Sequence, residues 1–247
     1  MNVPVGAERR KEETKAFLGE IETLQTQFDV FRLLKRVCEL FGFSAFMVMR
    51  LPDATAMAVA EQSVINNWPT EMIAAYDRLG LLQSSPAIAA MRNSVKPLAI
   101  SLEERTAASP EDSRAASEAL FRQFGFLRSV AIPVHDARGD RGVVFFDGDR
   151  ETLCHTEMLE LNMLAIHIYE RLQQIAHTDA RDVSPLTDRE TNCLAWTAEG
   201  KTSNEIAEIL GLSEHTVNHY LNRAARKLST VNRTQAVAKA LRRGWIK

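Results

Sequence analysis

The sequence predicts an α+β protein: an α-β-α sandwich around a sheet of about five antiparallel strands, followed by an all-α unit of four helices. Three observations carry this. Residues 16–176 alternate helical and strand patterning. Residues 186–247 carry helical patterning only, with a cap signal at nearly every helix start. Between them the polar segment 177–185, ending in Ser184-Pro185, has no apolar period and reads as a linker. A chain of 247 residues has the length for two domains.

In the larger unit, apolar spacing predicts helices over 21–40, 70–82, 86–93, 111–124 and 156–177. Strand patterning falls at 45–51, 57–64, 98–102, 129–135 and 142–146. The last two strands flank Asp136-Ala137-Arg138-Gly139-Asp140-Arg141-Gly142, a glycine loop suited to a hairpin. Helices on both faces of such a sheet leave room for a ligand cavity between one helical layer and the strands. The acidic pairs Glu103-Glu104 and Glu111-Asp112 read as solvated helix starts.

In the smaller unit the helix starts are explicit. Thr187-Asp188-Arg189-Glu190 and Thr202-Ser203-Asn204-Glu205 are both T-x-x-E capping boxes, in which the hydroxyl and the carboxylate satisfy orphaned backbone N–H groups. Gly211 closes the run Ile206, Ala207, Ile209, Leu210, and Ser213 caps the next helix. Two short helices about a glycine turn, over 203–222, form a helix-turn-helix, whose second helix is the one that enters a DNA major groove. That helix carries Val217, Leu221, Ala224 and Leu228 on one side. His215, Asn218, His219, Asn222 and Arg226 lie on the other, with Thr216, Arg223 and Lys227 beside them. Donors without acids beyond Glu214 suit phosphates and base edges. Lys201 and Thr202, at the preceding helix start, suit a phosphate. Asn232 or Thr234 starts a last helix, whose Val237 and Leu241 either close the small core or meet a partner.

Charge divides along the same boundary. From Ser184 onward there are 10 basic and 6 acidic residues, against 20 basic and 26 acidic before it, so the net −2 of the chain conceals a basic C-terminal unit. Duplex DNA rewards such a local cluster through counterion release.

Other chemistries find little support. The chain has no G-x-S-x-G, P-loop or G-x-G-x-x-G. His215 and His219 stand at metal-ligand spacing but without a third ligand nearby. Cys38, Cys154 and Cys193 lie in apolar periodic segments and read as buried free thiols. No run approaches the ~18 apolar residues of a membrane span, and the charged first twenty residues do not read as a secretory signal. No catalytic residue, metal or cofactor is expected, no membrane partner, and a cytoplasmic location.

Leu186-Thr187-Asp188-Arg189-Glu190, Trp196, Gly200-Lys201-Thr202, Glu205-Ile206-Ala207, Lys227-Leu228 and Asn232-Arg233-Thr234-Gln235-Ala236-Val237 together resemble the DNA-binding domain of LuxR-family transcription regulators, the quorum-sensing branch in particular. The family's recurrent Lys and His in the recognition helix are here Asn218 and Tyr220, which leaves the operator sequence open. The resemblance implies a homodimer on a two-fold promoter site, with RNA polymerase as a further partner if the protein activates.

The larger unit resembles, less strongly, the autoinducer-binding domain of the same family, through Asn67-Trp68-Pro69, Tyr76, Ser85-Pro86-Ala87-Ile88, Phe124-Gly125 and Ile132-Pro133-Val134. The resemblance implies a ligand site at Met72, Tyr76, Ser85, Ile100 and Ser129. Only Tyr76 is retained there. Met72 and Ile100 replace tryptophans, Ser85 an aspartate and Ser129 a glycine. A ligand group left unpaired loses ~1–3 kcal/mol, so two or three such losses lower affinity by roughly a hundred- to several-thousand-fold. Weak or absent binding of an acyl-homoserine lactone is the expectation. Three readings stay open: a different small-molecule signal, a ligand-free dimerisation module, or a lactone held by other side chains. The whole chain reads as a DNA-binding, dimeric regulator. Its rival is an interaction-only anti-activator that forms heterodimers with a related regulator.

Overall fold

The computed structural model describes residues 5–107, 109, 111–179 and 184–246. It divides into two compact units, Met1–Asp179 and Ala180–Lys247. In the first, the strands β1 (Ala45–Arg50), β2 (Ser63–Asn66), β3 (Leu98–Ser101), β4 (Arg128–His135) and β5 (Arg141–Gly148) form one sheet in the order β2-β1-β5-β4-β3. Every neighbouring pair is antiparallel. Side chains alternate between its faces. Phe46, Val48, Val130, Ile132, Val144 and Phe146 share a core with the helices α1 (Val5–Ile21), α2 (Gln27–Phe41) and α8 (His155–Asp179). Met47, Met49, Ala131, Val143 and Phe145 share a second core with α4 (Thr70–Arg78), α5 (Pro86–Asn93) and α7 (Glu111–Gln123). Both faces are covered, so the sandwich predicted from patterning is the fold.

The β4–β5 hairpin closes as the glycine loop suggests. Asp136 Oδ1 accepts from the backbone N–H groups of Arg138 and Asp140, each at 2.9 Å, and Gly139 takes a left-handed φ of 89°.

Four local expectations need correction. The helix expected over 21–40 begins only at Gln27. Thr26 and Asp29 form a capping box that starts α2, and α1 precedes it. The strand expected over 57–64 begins as a short helix, α3 (Val59–Gln62), because Asp77 Oδ1 accepts from Val59 N at 2.6 Å; β2 follows it. Glu103 and Glu104 do stand in the first turn of a short helix, α6 (Leu102–Ala107), as their reading as a helix start expects. Cys38 and Cys193 are buried free thiols, but Cys154 is exposed just before α8. Of the expected linker 177–185, residues 177–179 belong to α8, and 180–183 lie outside the described residues.

The second unit consists of α9 (Asp188–Ala198), α10 (Ser203–Leu210), α11 (Glu214–Lys227) and α12 (Arg233–Arg242) around one core that includes Leu194, Ile206, Val217, Leu221, Ala236 and Ile246. Both predicted capping boxes form. Gly211 is left-handed at φ 65°, Ser213 caps α11, and Asn232, rather than Thr234, caps α12.

Candidate nucleic-acid interface and ligand cavity

Helix α11 has the two faces its spacing predicts. Val217, Leu221, Ala224 and Leu228 are at most 2% exposed, whereas His215, His219, Asn222 and Arg226 are all exposed. Those four recur at intervals of four, three and four residues and make one outward row.

The structure gives the remaining residues of the expected interface internal partners. Asn218 is half-buried, and its Oδ1 accepts from Ser203 Oγ at 2.7 Å, so it ties α11 to the start of α10. Lys227 Nζ donates to Glu190 Oε2 at 2.7 Å, and Arg223 Nε stands 3.4 Å from Glu190 Oε1. Glu190 is fully buried. Burial works to raise its carboxyl, but the Lys227 and Thr187 hydrogen bonds outweigh it and hold the group below its ordinary value. Thr216 is half-buried beside its cap, Ser213, whose Oγ lies 2.7 Å from Thr216 Oγ1. The Thr202 hydroxyl is spent in its own capping box with Glu205. Lys201 is exposed, 3.9 Å from Glu205.

A groove at the start of α10 is lined by Lys201, Ser203, Asn218 and also Arg233, whose Nη1 donates to Ser203 Oγ at 3.4 Å. Sequence reasoning passed over Arg233. Its place at the first position of α12, directly after the Asn232 cap, was the available signal.

In the first unit, Tyr76 and Ser85 line a cavity of about 20 Å³ with Met47, Met49, Val59, Trp68, Leu82, Ile88, Arg105 and Phe145. Met72 is fully buried in the same core. Ile100 and Ser129 are buried cross-strand partners that border a separate groove near Phe43 and Leu153. Ser85 Oγ accepts from Ile88 N and so caps α5; the Tyr76 hydroxyl donates to Leu81 O at 3.4 Å.

The polar centre of this region is a cluster the sequence did not single out. Arg105 Nη2 donates to Asp147 Oδ1 at 2.9 Å and also to Ser129 Oγ; Ser129 Oγ donates to Asp147 Oδ1. Trp68 Nε1 donates to Asp147 Oδ2 at 3.1 Å. Strand alternation was the signal for Asp147, since it continues Val143 and Phe145 on the cavity side.

Residues 26–172 match the autoinducer binding domain, and residues 184–240 match the luxR family of bacterial regulatory proteins. The transcriptional activator protein AhyR of Aeromonas hydrophila is 34% identical over 188 residues, 73% of this chain and 72% of that protein.

The chain belongs to the LuxR family.

The transcriptional activator LuxR of Aliivibrio fischeri is 26% identical over 235 residues, covering 93% of this chain and 92% of its own. The fold matches the crystal structure of Escherichia coli SdiA with a TM-score of 0.67 at 22% identity, over 95% of this chain and 98% of that one. Like its family, this LuxR-type protein is a DNA-binding transcription regulator and not an enzyme. No helix among the described residues is long and apolar enough to cross a membrane.

Proposed function

We propose that this LuxR-type regulator binds promoter DNA as a homodimer, with α11 in the major groove, and that it activates transcription there. The observation that carries the interface is the exposed row His215, His219, Asn222 and Arg226 opposite a buried aliphatic face. His215, Asn222 and the donor end of Asn218 suit base edges. Arg226, with Lys201 and Arg233 at the start of α10, suits phosphates. Arg223 and Lys227 chiefly hold α11 against α9 through Glu190.

Dimerisation has its own support. Leu159, Met163 and Ile166 repeat along α8 and are 56%, 48% and 40% exposed, an apolar stripe that a second copy would cover. Leu241 of α12 is also exposed. Activation is supported by the relatives, which are named transcriptional activators.

Hydroxyl-radical footprinting on selected duplexes tests the proposal. Two symmetric protected half-sites about 34 Å apart are expected. A single unpaired footprint from a protein that sediments as a monomer would contradict it.

A further inference from the structure

The cavity between the sheet and the α3–α7 side is only about 20 Å³, roughly the room one water needs, whereas sites for drug-sized ligands run to ~300–1,000 Å³. Met47 and Met49 line it, and methionine is the most adaptable of apolar side chains. Among its lining residues the one charged group is the guanidinium of Arg105. This group reaches in from α6, is held by Asp147 and Ser129, and lies 4.5 Å from the centre of the Phe121 ring.

Hydrogen bonds within the fold also engage the groups a lactone would need. Both oxygens of Asp147 already accept, from Arg105 and Ser129 on one and from Trp68 on the other. The Trp68 indole donor is thereby spent, and Ser85 is engaged as a cap. Arg105 Nη1 is the one side-chain polar atom on the cavity wall that is buried without a hydrogen-bond partner among the described residues. An acyl-homoserine lactone brings an amide donor as well as carbonyl acceptors, and its amide would have to share oxygens of Asp147 and Ser85 that already accept, beside one unpartnered donor, Arg105 Nη1. Swinging Arg105 aside would strand Asp147, which is fully buried, as a lone charge.

We propose that Arg105 is the residue that sets ligand specificity in this domain. Clamped by Asp147 and Ser129, it is a built-in occupant of the cavity that shuts out acyl-homoserine lactones and leaves the N-terminal unit folded without a ligand. The inference rests on reading this unit as the family's ligand domain, and it names what that site refuses.

The test uses the full chain, produced in a host that makes no lactone, and thermal unfolding with lactones from butanoyl to dodecanoyl at high excess. The wild type should be soluble and unfold cooperatively without additive, and every lactone should leave its Tm within about 1 °C, whereas ligand at a hundred times Kd would raise it by about 5 °C or more. Arg105→Met combined with Asp147→Asn removes both charges and opens the space, and at least one lactone should then raise the Tm by that larger amount. Arg105→Lys keeps a cation beside Asp147 with a smaller head, and should gain a response as well. A wild type that is insoluble without lactone, or stabilised by one, overturns the proposal. So do soluble variants that stay unresponsive. Failure of the regulator reading would show instead in duplex binding by the wild type, and would leave these thermal readouts unchanged.

Discussion

Lys227 and Glu190 lie 37 residues apart in sequence and 2.7 Å apart in space, joined by a hydrogen bond from Nζ to Oε2. The same Glu190 oxygen accepts from the Thr187 backbone at 2.8 Å and completes the α9 capping box. One carboxylate therefore starts one helix and anchors the end of another. Helix α11 is held in place by a charge that its own sequence does not contain.

Glu190→Gln should expose that dependence. The folded carboxyl sits below its ordinary value of 4.5, so its stabilisation is complete above that pH and is lost as pH falls through the lower folded value. Since Lys227 and Arg223 are 30% and 45% exposed, water can take over part of the lost interaction. The substitution should cost the C-terminal unit about 1–3 kcal/mol at neutral pH and flatten the acid limb of its stability profile. Denaturant titrations across pH, read by the fluorescence of Trp196 and Trp245, measure both effects.

Asp147→Ala removes the counter-charge of Arg105 inside the first unit. Because Asp147 is fully buried and the Arg105 side chain only 11% exposed, the stranded guanidinium should cost about 3–5 kcal/mol. Asp147→Asn retains an acceptor for Trp68 and should cost less. Urea unfolding midpoints of the two variants against wild type give the order.

Gly142 is confined by contact and not by its backbone angles. A Cβ there would lie 2.5 Å from Tyr169 Cε2, and Tyr169 is fully buried. Gly142→Ala should therefore destabilise by about 1–3 kcal/mol through overpacking. Tyr169→Leu in the same chain should recover part of that loss, a coupling that a double-mutant cycle of unfolding free energies detects.

The C-terminal unit was legible almost residue by residue, because its signals are local. Capping boxes, a left-handed glycine and an aliphatic stripe act within a few positions of one another. The first unit was legible as a sandwich, through strand alternation, but not at its details. Helix α1 buries little besides Phe17 and Ile21, and part of its docking comes from Arg10 bonding Glu160 of α8 at 2.7 Å, 150 residues away. The break before α2 was missed because its box uses Asp29 where glutamate is usual. Arg105 was missed for a related reason. It directly follows Glu103 and Glu104, which read as a solvated helix start, and only the fold brings Asp147 to it. The expected interface was legible as a row but not as a division of labour, since Glu190, Ser203 and Arg233 come from other helices.

The salt dependence of duplex binding by the full chain tests the central claim most directly. Log affinity should fall linearly with log salt, and Arg226→Ala should weaken binding to all sequences and lower the slope by about 1. Asn222→Ala should leave the slope in place and relax preference at one base pair, by about 1–3 kcal/mol. Wild-type slope and wild-type sequence preference in both variants would mean that this row of α11 does not face DNA.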